Sequence, residues 1–306
     1  MIVANNGSRA SEIDEADGRD GVTVVEPSGN RGFGAGCNSG AAAAADAGVL
    51  VFLNPDTVVR PGAVAALAQR LEDPSVGVVQ ARLRLLDRPD ELNSSGNVVH
   101  VSGLAWPGGY GDPADAADRV REIAYASGAA LAIRADLFRE LGGFTEELFL
   151  YQEDLELCWR ARLRGLRVVL EPGADVLHDY VLERPGRRKE YYLERNRLVF
   201  VLTAYSGRLL ALLAPVLLAV ELGIVVVAIR GGWSRDKARG WAWLLRNRTW
   251  VARHRESVQA TRRVPDRELA VLLTPALDPR MLELPAGAGL VNALVSAWWR
   301  AVRVFL

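Results

Sequence analysis

Strand-like and helix-like blocks alternate along the first part of the chain. Met1 to Ala4 predicts a short strand, followed by the turn-forming run Asn5-Asn6-Gly7-Ser8. Val22 to Glu26 is a β-branched run that closes at Pro27. A glycine-rich segment, Asn30 to Gly40, leads into Ala41 to Ala47, whose alanines predict a helix. Val49 to Leu53 is apolar throughout, as a strand buried on both faces requires, and it stops at Asn54-Pro55-Asp56. Pro61 suits the first position of a helix over Gly62 to Leu71, and Val76 to Ala81 reads as the next strand. Strands separated by helices predict an α/β fold with a mainly parallel sheet covered on both faces. Ligands of such sheets bind beyond the carboxyl ends of the strands, so the turns after Ala4 and after Leu53 are expected to face one cleft.

Asn93 to Asp118 is rich in Gly, Pro and Asp and predicts a long loop, a kind of segment that is usually functional or disordered. Order is expected to return with Ala124 to Ile133 and a helix from Ala135. A further helix over Asp154 to Arg164 ends at Gly165, and Leu166 to Leu170 is strand-like and leads to His178. From about Leu198 the pattern changes. Leu209 to Ile229 is apolar except for Pro215, Glu221 and Gly223, and about twenty such residues can span a bilayer. A polar stretch follows in which Arg230, Arg235, Arg246 and Arg253 are interleaved with Trp233, Trp241, Trp243 and Trp250. The chain closes on Leu290, Leu294, Trp298 and Phe305 at helical spacing. The expected division is a catalytic domain over 1–197 and a helical, amphipathic region over 198–306.

Composition changes this picture little. With 50% hydrophobic residues in 306, the chain can bury a sizeable core. Its 37 basic residues balance 37 acidic ones, which gives no global attraction to nucleic acid, although basic residues thicken after Arg184. Cys37 and Cys158 have no CxxC partners, which argues against a disulfide framework or zinc cluster and fits a reducing cytosol. Met1 leads straight into a short apolar stretch and a polar turn, so no signal peptide is read.

Two segments carry candidate chemistry. A strand ending in Asn54-Pro55-Asp56 sets a carboxylate at the cleft, where it can hold Mg²⁺ or Mn²⁺ against a diphosphate. For the tripeptide alone, a plain turn is the better account. In the second segment, Phe149 and Tyr151 lead to Glu153-Asp154 at a helix start. Such acids can simply answer the helix dipole, or they can form a partly desolvated general base. Gly32, Gly34 and Gly36 give a weak phosphate-loop signal and fit tight packing better. They do not form the GxGxxG of a dinucleotide site. Trp106 and Tyr110 can stack on a sugar or anchor packing.

Taken together, Asn30-x-Gly32-Phe33, Asn38-x-Gly40, Leu53-Asn54-Pro55-Asp56, Ser127-Gly128-Ala129, Gly142-Gly143-Phe144-x-Glu146 and Tyr151-x-Glu153-Asp154 resemble family 2 glycosyltransferases. The resemblance covers roughly Ile2 to Arg197 and points to the rhamnosyltransferase-like branch that builds bacterial cell-surface polysaccharides. It implies a GT-A fold and an inverting transfer from a nucleotide diphosphate-sugar, UDP- or dTDP-linked, to a lipid-linked or glycan acceptor. It also implies that Asp56 is a metal ligand of a DxD-like motif, with Mn²⁺ or Mg²⁺ as cofactor. Asp154 would be the catalytic base, paired with Glu153. Asn5, Asn30, Gly32, Asn38 and Asn54 would line the donor site, and Arg195 would meet phosphate. His178 falls where a second metal or diphosphate contact is expected, although a surface histidine explains it equally well from the sequence alone.

The resemblance starts late. The strand that opens family members has no counterpart ahead of Ile2, and Ala4 stands where an aspartate usually contacts the base. A catalytically impaired GT-A-like scaffold or partner subunit is therefore the alternative function. Nucleotide sugars are cytosolic, and so is an Arg-rich segment under the positive-inside rule. A single complete span would separate the two. The expectation is a helix pair or in-plane helix on the inner leaflet at the cytoplasmic face. A helical subdomain packed on the catalytic domain is the plainer alternative. The neighbouring apolar run favours lipid over nucleic acid as the tail's partner.

Overall fold

The computed structural model describes residues 1–7, 18–27, 29–180, 189–281 and 288–306. Ser8 of the first turn and Arg184 lie outside them. Two short strands, β1 (Ile2–Ala4) and β2 (Thr23–Val25), pair in parallel as a small sheet of their own. Helix α1 (Phe33–Ala43) follows. It starts inside the glycine-rich segment rather than at Ala41. Glycine is a poor helix former, and tertiary packing overrides that propensity here. Added Cβ atoms would stand 3.0 Å from Phe144 at Gly34 and 3.2 Å from Asn6 at Gly36.

The main sheet joins β3 (Val49–Leu53), β10 (Ala130–Arg134), β5 (Val76–Leu85), β11 (Arg167–His178) and β4 (Thr57–Val59) in that order. Strand β6 (Leu92–Ser94) pairs with β5, and β9 (Arg121–Glu122) pairs with β11. Within this sheet β5 and β11 pair in parallel, while β10 is antiparallel to both β3 and β5, and β4 is antiparallel to β11. The sheet is thus mixed rather than mainly parallel. The apolar β10 follows a segment that folds back along the sheet instead of crossing over by a helix.

Helix α2 (Ala63–Arg70) covers one face, its Ala63 and Leu67 packing with Val79, Leu83 and Val176. It begins two residues after Pro61, because Gly62 caps it with φ of 84°. Helices α3 (Ala135–Leu141) and α4 (Glu153–Leu163) cover the other face. The segment expected to be a loop contains β6, β7 (Asn97–His100) and β8 (Ala105–Pro107), with Asn93, Ser94, Ser95, Asn97, His100 and Ser102 buried. Its turn-like composition was misleading, since several of these buried polar groups bond one another, as Ser94 Oγ does in donating to Asn97 Oδ1 at 2.7 Å and His100 Nδ1 does with Ser102 Oγ at 2.7 Å. Trp106 is buried in this layer as a packing anchor.

Helices α5 (Lys189–Ala204), α6 (Gly207–Arg230), α7 (Ser234–Arg246), α8 (Arg248–Ala260), α9 (Asp266–Ala270) and α10 (Ala288–Val304) follow, with β12 (Leu273–Thr274) between the last two. The expected boundary at 197/198 falls inside α5. Phe200, Tyr205, Leu209, Leu213, Val216 and Val220 belong to the same hydrophobic cluster as Leu50, Phe52, Leu131 and Trp159, so the helices and the sheet share one core.

Glu221 interrupts the apolar helix α6 and is the key to how it sits. Its carboxylate pairs with Arg197 and Lys237, and Trp241 Nε1 donates to it at 2.6 Å. Glu194 pairs with the same two cations. Two acids and two bases therefore tie α5, α6 and α7 together inside the protein. Removing one member leaves one unit of the opposite charge uncompensated in the cluster, and breaking a buried pair in this way costs about 3–5 kcal/mol. Lys237→Met is accordingly expected to lower stability by about 3 kcal/mol in urea denaturation, although it adds apolar surface. An unchanged midpoint would refute the weld.

Candidate active site

Asp56 and His178 meet because of register. Thr57 at the start of β4 pairs with His178 at the end of β11, which brings Asp56 Oδ1 within 3.3 Å of His178 Nε2. His178 Nδ1 lies 2.9 Å from Asn93 Oδ1. A carbonyl oxygen cannot donate, so Nδ1 carries a proton, and Nε2 is the nitrogen that faces the carboxylate. Asn54 stands two residues before Asp56, and its Oδ1 is buried without a hydrogen bond. Asp56 Oδ1 beside His178 Nε2 offers one oxygen and one nitrogen of the kinds that a divalent cation takes, the rest of its shell coming from water and phosphate.

The second half of the site lies at the start of α4. Gly128 N–H donates to Asp154 Oδ2 at 2.9 Å, and Leu155 N–H donates to Oδ1 at 2.8 Å. One residue along, Ala129 O accepts from Asn54 N–H at 3.0 Å. The turn Ser127-Gly128-Ala129 therefore joins the metal-type residues to the paired acids. Burial raises the Asp154 carboxyl above its usual range, against the two backbone bonds. Burial, followed by repulsion from Asp154, pushes Glu153 up to about 8. Glu153 Oε2 is buried without a hydrogen bond, as are Gln152 Oε1 and Asn93 Nδ2. Buried polar atoms left unmatched are rare in native proteins, and these three belong to the acids, the residue before them and the partner of His178, while Arg84, Trp159, Arg162 and Tyr205 carry others elsewhere.

The other expected site residues form a supporting shell. Asn38 binds the turn before α4 through Phe144 N–H at 2.8 Å, Phe144 O at 2.9 Å and Glu146 at 3.2 Å. Asn30 Oδ1 accepts from Gly32 N–H, and Asn5 Nδ2 donates to Glu26. Gly32, at φ 96°, lies flush against Phe149, where an added Cβ would come within 2.2 Å of Phe149 O. The guanidinium of Arg195 donates to Glu147 O and Leu148 O. The structure thus pairs Asp56 with His178 and ties Asn54 and Asp154 to one turn, and places Asn5, Asn30, Gly32, Asn38 and Arg195 in contacts within the protein. A separate cavity of about 430 Å³ opens between α8 and the turn before α4. Asn38, Arg160, Trp250 and His254 are among its walls; Asp56, Glu153 and Asp154 are not.

Sequence reasoning missed Asn93, Gln152 and Gln80, whose Oε1 accepts from Ser127 N–H at 2.8 Å. Gln80 sits in an otherwise apolar strand and is fully buried, a polar exception that could have marked it. Asn93 lay in the segment read as a loop.

A mixed sheet flanked by helices, with Asp56 beside His178 at strand ends and paired acids at a helix start, is the frame of a sugar-nucleotide transferase of the GT-A type. The family model described as "Glycosyltransferase like family 2" matches residues 2–199. The chain belongs to that family and is a glycosyltransferase. Among curated relatives, the N-acetylglucosaminyl-diphospho-decaprenol L-rhamnosyltransferase of Mycobacterium tuberculosis is 28% identical over 233 residues, covering 68% of this chain and 76% of that protein. The low-salt glycan biosynthesis hexosyltransferase Agl10 of Haloferax volcanii is 26% identical over 211 residues, covering 64% of this chain and 65% of that protein. Among solved structures, a mannosyltransferase from Pyrobaculum calidifontis in complex with GDP-Man and Mn²⁺ aligns over 99% of this chain and 76% of that one. It is 15% identical, with a TM-score of 0.43.

The raised Glu153 carboxyl has a consequence for stability. An acid whose folded pKa lies above its unfolded value contributes no penalty below the unfolded pKa and destabilises increasingly as pH rises toward the folded one. The window runs from 4.5 to about 8. Glu153→Gln is therefore expected to melt near wild type at pH 4.5 and clearly above it at pH 8.5. Parallel melting curves across that range would contradict the assignment.

Proposed function

We propose that this enzyme is an inverting glycosyltransferase that moves a sugar from a UDP- or dTDP-linked donor to a lipid-linked or glycan acceptor of the cell surface. Carrying the reading is the single turn Ser127-Gly128-Ala129, which ties Asn54, next to Asp56, to Asp154. Asp56, His178 and Asn54 would hold Mn²⁺ or Mg²⁺, whose charge stabilises the departing diphosphate. Asp154, raised by burial, takes the proton of the acceptor hydroxyl. That oxygen then forms its bond to the anomeric carbon as the bond to the diphosphate breaks on the opposite face. Glu153, protonated at neutral pH, keeps a second negative charge away from the reacting centre. The intact acids and cation-type donors favour an active enzyme over an impaired scaffold.

The helical region supports work at the cytoplasmic face of a membrane. Helix α6 is long and apolar enough to cross a bilayer. Both of its ends, however, return to one body, since α5 precedes it and α7 packs back on α5, with Gly240 against the Arg195 backbone. An in-plane position fits that path. Leu218, Leu222, Val226 and Ile229 form an exposed stripe at 47–64% exposure, while Leu209, Leu213, Val216 and Val220 face the core. Trp298 Nε1 of α10 donates to Leu212 O at 2.9 Å, and α10 adds exposed Leu290, Leu294 and Val304, followed by exposed Phe305. Such a face suits the inner leaflet and a lipid-linked acceptor.

Calorimetry with UDP and dTDP is expected to show Mn²⁺-dependent binding that Asp56→Ala abolishes. Asp154→Asn should keep that binding and lose transfer by about 10²–10⁴-fold. Folded wild-type protein that binds neither nucleotide would overturn the catalytic reading. In flotation assays the protein should rise with anionic vesicles and remain bound in high salt, and the double variant Leu218→Glu, Leu222→Glu should be released. A soluble monomer that ignores vesicles would exclude the membrane reading.

A further inference from the structure

The backbone just before the paired acids is held in a conformation that side-chain-bearing residues rarely adopt. Phe149, Tyr151 and Gln152 have φ of 64°, 70° and 66°. Such a segment persists only where its surroundings over-determine it. The surroundings here are α5 and α7. Asn196, fully buried, donates through Nδ2 to Leu148 O at 3.0 Å, Leu150 O at 2.9 Å and Tyr151 O at 2.7 Å. Its Oδ1 accepts from Arg195 Nε at 2.9 Å. Arg195 Nη2 donates to Glu147 O at 2.8 Å and Leu148 O at 2.6 Å.

We propose that Arg195 and Asn196 are positioning residues for the catalytic acids, clamping the carbonyls of Glu147, Leu148, Leu150 and Tyr151 so that α4 begins with Asp154 on Gly128, and that α7 backs this clamp. The inference rests on the reading of Asp154 as the base. It replaces the expectation that Arg195 meets phosphate. Arg195 is 4% exposed, and its guanidinium is enclosed by the rings of Tyr191, Tyr192 and Trp243 at 5.3, 5.1 and 4.7 Å. Turning it toward a diphosphate would strip Glu147 O of its Arg195 donor and take one from Leu148 O, in a turn where helical bonds cannot replace them. From α7, Gly240 packs on the Arg195 backbone, with an added Cβ 3.7 Å away. From α8, Trp250 Nε1 donates to Glu147 Oε1 at 2.9 Å. On the opposite side of the turn, Phe33 N–H donates to Phe149 O at 2.7 Å. The helical region thereby completes the active site rather than merely tethering it.

Three variants of the full chain test this: Arg195→Lys, Asn196→Asp, which presents oxygen to three carbonyls at nearly unchanged size, and Trp243→Leu from the backing layer. One readout is amide exchange by NMR at Gly128 and Leu155, the two donors to Asp154. The other is calorimetric binding of UDP with Mn²⁺. We expect exchange at both amides to speed at least about tenfold, while β5 and β11 amides stay protected and UDP affinity stays within about twofold. A purely structural role would speed exchange in the strands equally. Unchanged exchange at Gly128 and Leu155 would overturn the clamp, and so would a tenfold loss of UDP affinity in folded Arg195→Lys. If Asn196→Asp does not fold, the other two variants carry the decision. Wild-type protein that binds no UDP would defeat the proposed function, and the exchange readout would still decide the clamp.

Discussion

The proposed active site depends on a carboxylate held by two backbone amides. Asp154 receives one N–H from Gly128 in the turn before β10 and one from Leu155 in its own helix. These bonds fix where α4 starts relative to the sheet. They also set a compromise in the group's chemistry, because burial raises its proton affinity while the two donors restrain the rise. Around this point the remaining parts have defined tasks. Strand β3 carries Asn54 and Asp56 to the rim, β11 carries His178 to meet them, and Asn196 holds the turn from behind.

The same logic explains the cost carried near the acids. Three left-handed residues in a row of four are worth on the order of 1–3 kcal/mol of strain each. Glu153 adds a buried carboxyl with one oxygen unmatched. A chain selected for stability alone would keep neither. Their presence beside the proposed base fits a site in which strain and desolvation serve the reaction. Glu156, two residues on, shows the contrast. Burial would raise it, but Arg160 and His254 outweigh burial and hold it down at about 2. It belongs to packing, and its partners lie in α4 and α8.

Much of the site was legible because its residues stand at element ends. A carboxylate after a continuous apolar strand and paired acids at a helix start are local patterns that single out Asp56 and Asp154, while their proposed roles come from the family resemblance. Composition misled where tertiary contacts govern. Gly34 and Gly36 sit in a helix because neighbours press against them, and Asn93 to Ser102 form short strands because their polar side chains bond one another while buried. Apolar β10 gave no hint of its antiparallel direction, which depends on how the preceding segment folds back. The apolar run at Leu209 to Ile229 gave the helix but not its placement. Glu221, which looked like a flaw in a span, proved to be an internal anchor paired with Arg197 and Lys237. Motif position likewise did not show that Arg195 Nη2 donates to Glu147 O and Leu148 O.

The central claim is that the cation-type residues and the paired acids form one site. Paramagnetic broadening by Mn²⁺ bound with UDP tests it directly in the NMR spectrum of the full chain. The account predicts that the amides of Gly128, Asp154 and Leu155 broaden when Mn²⁺ and UDP are added together, and that Asp56→Ala restores them. Sharp signals at all three under saturating Mn²⁺ and UDP would contradict it.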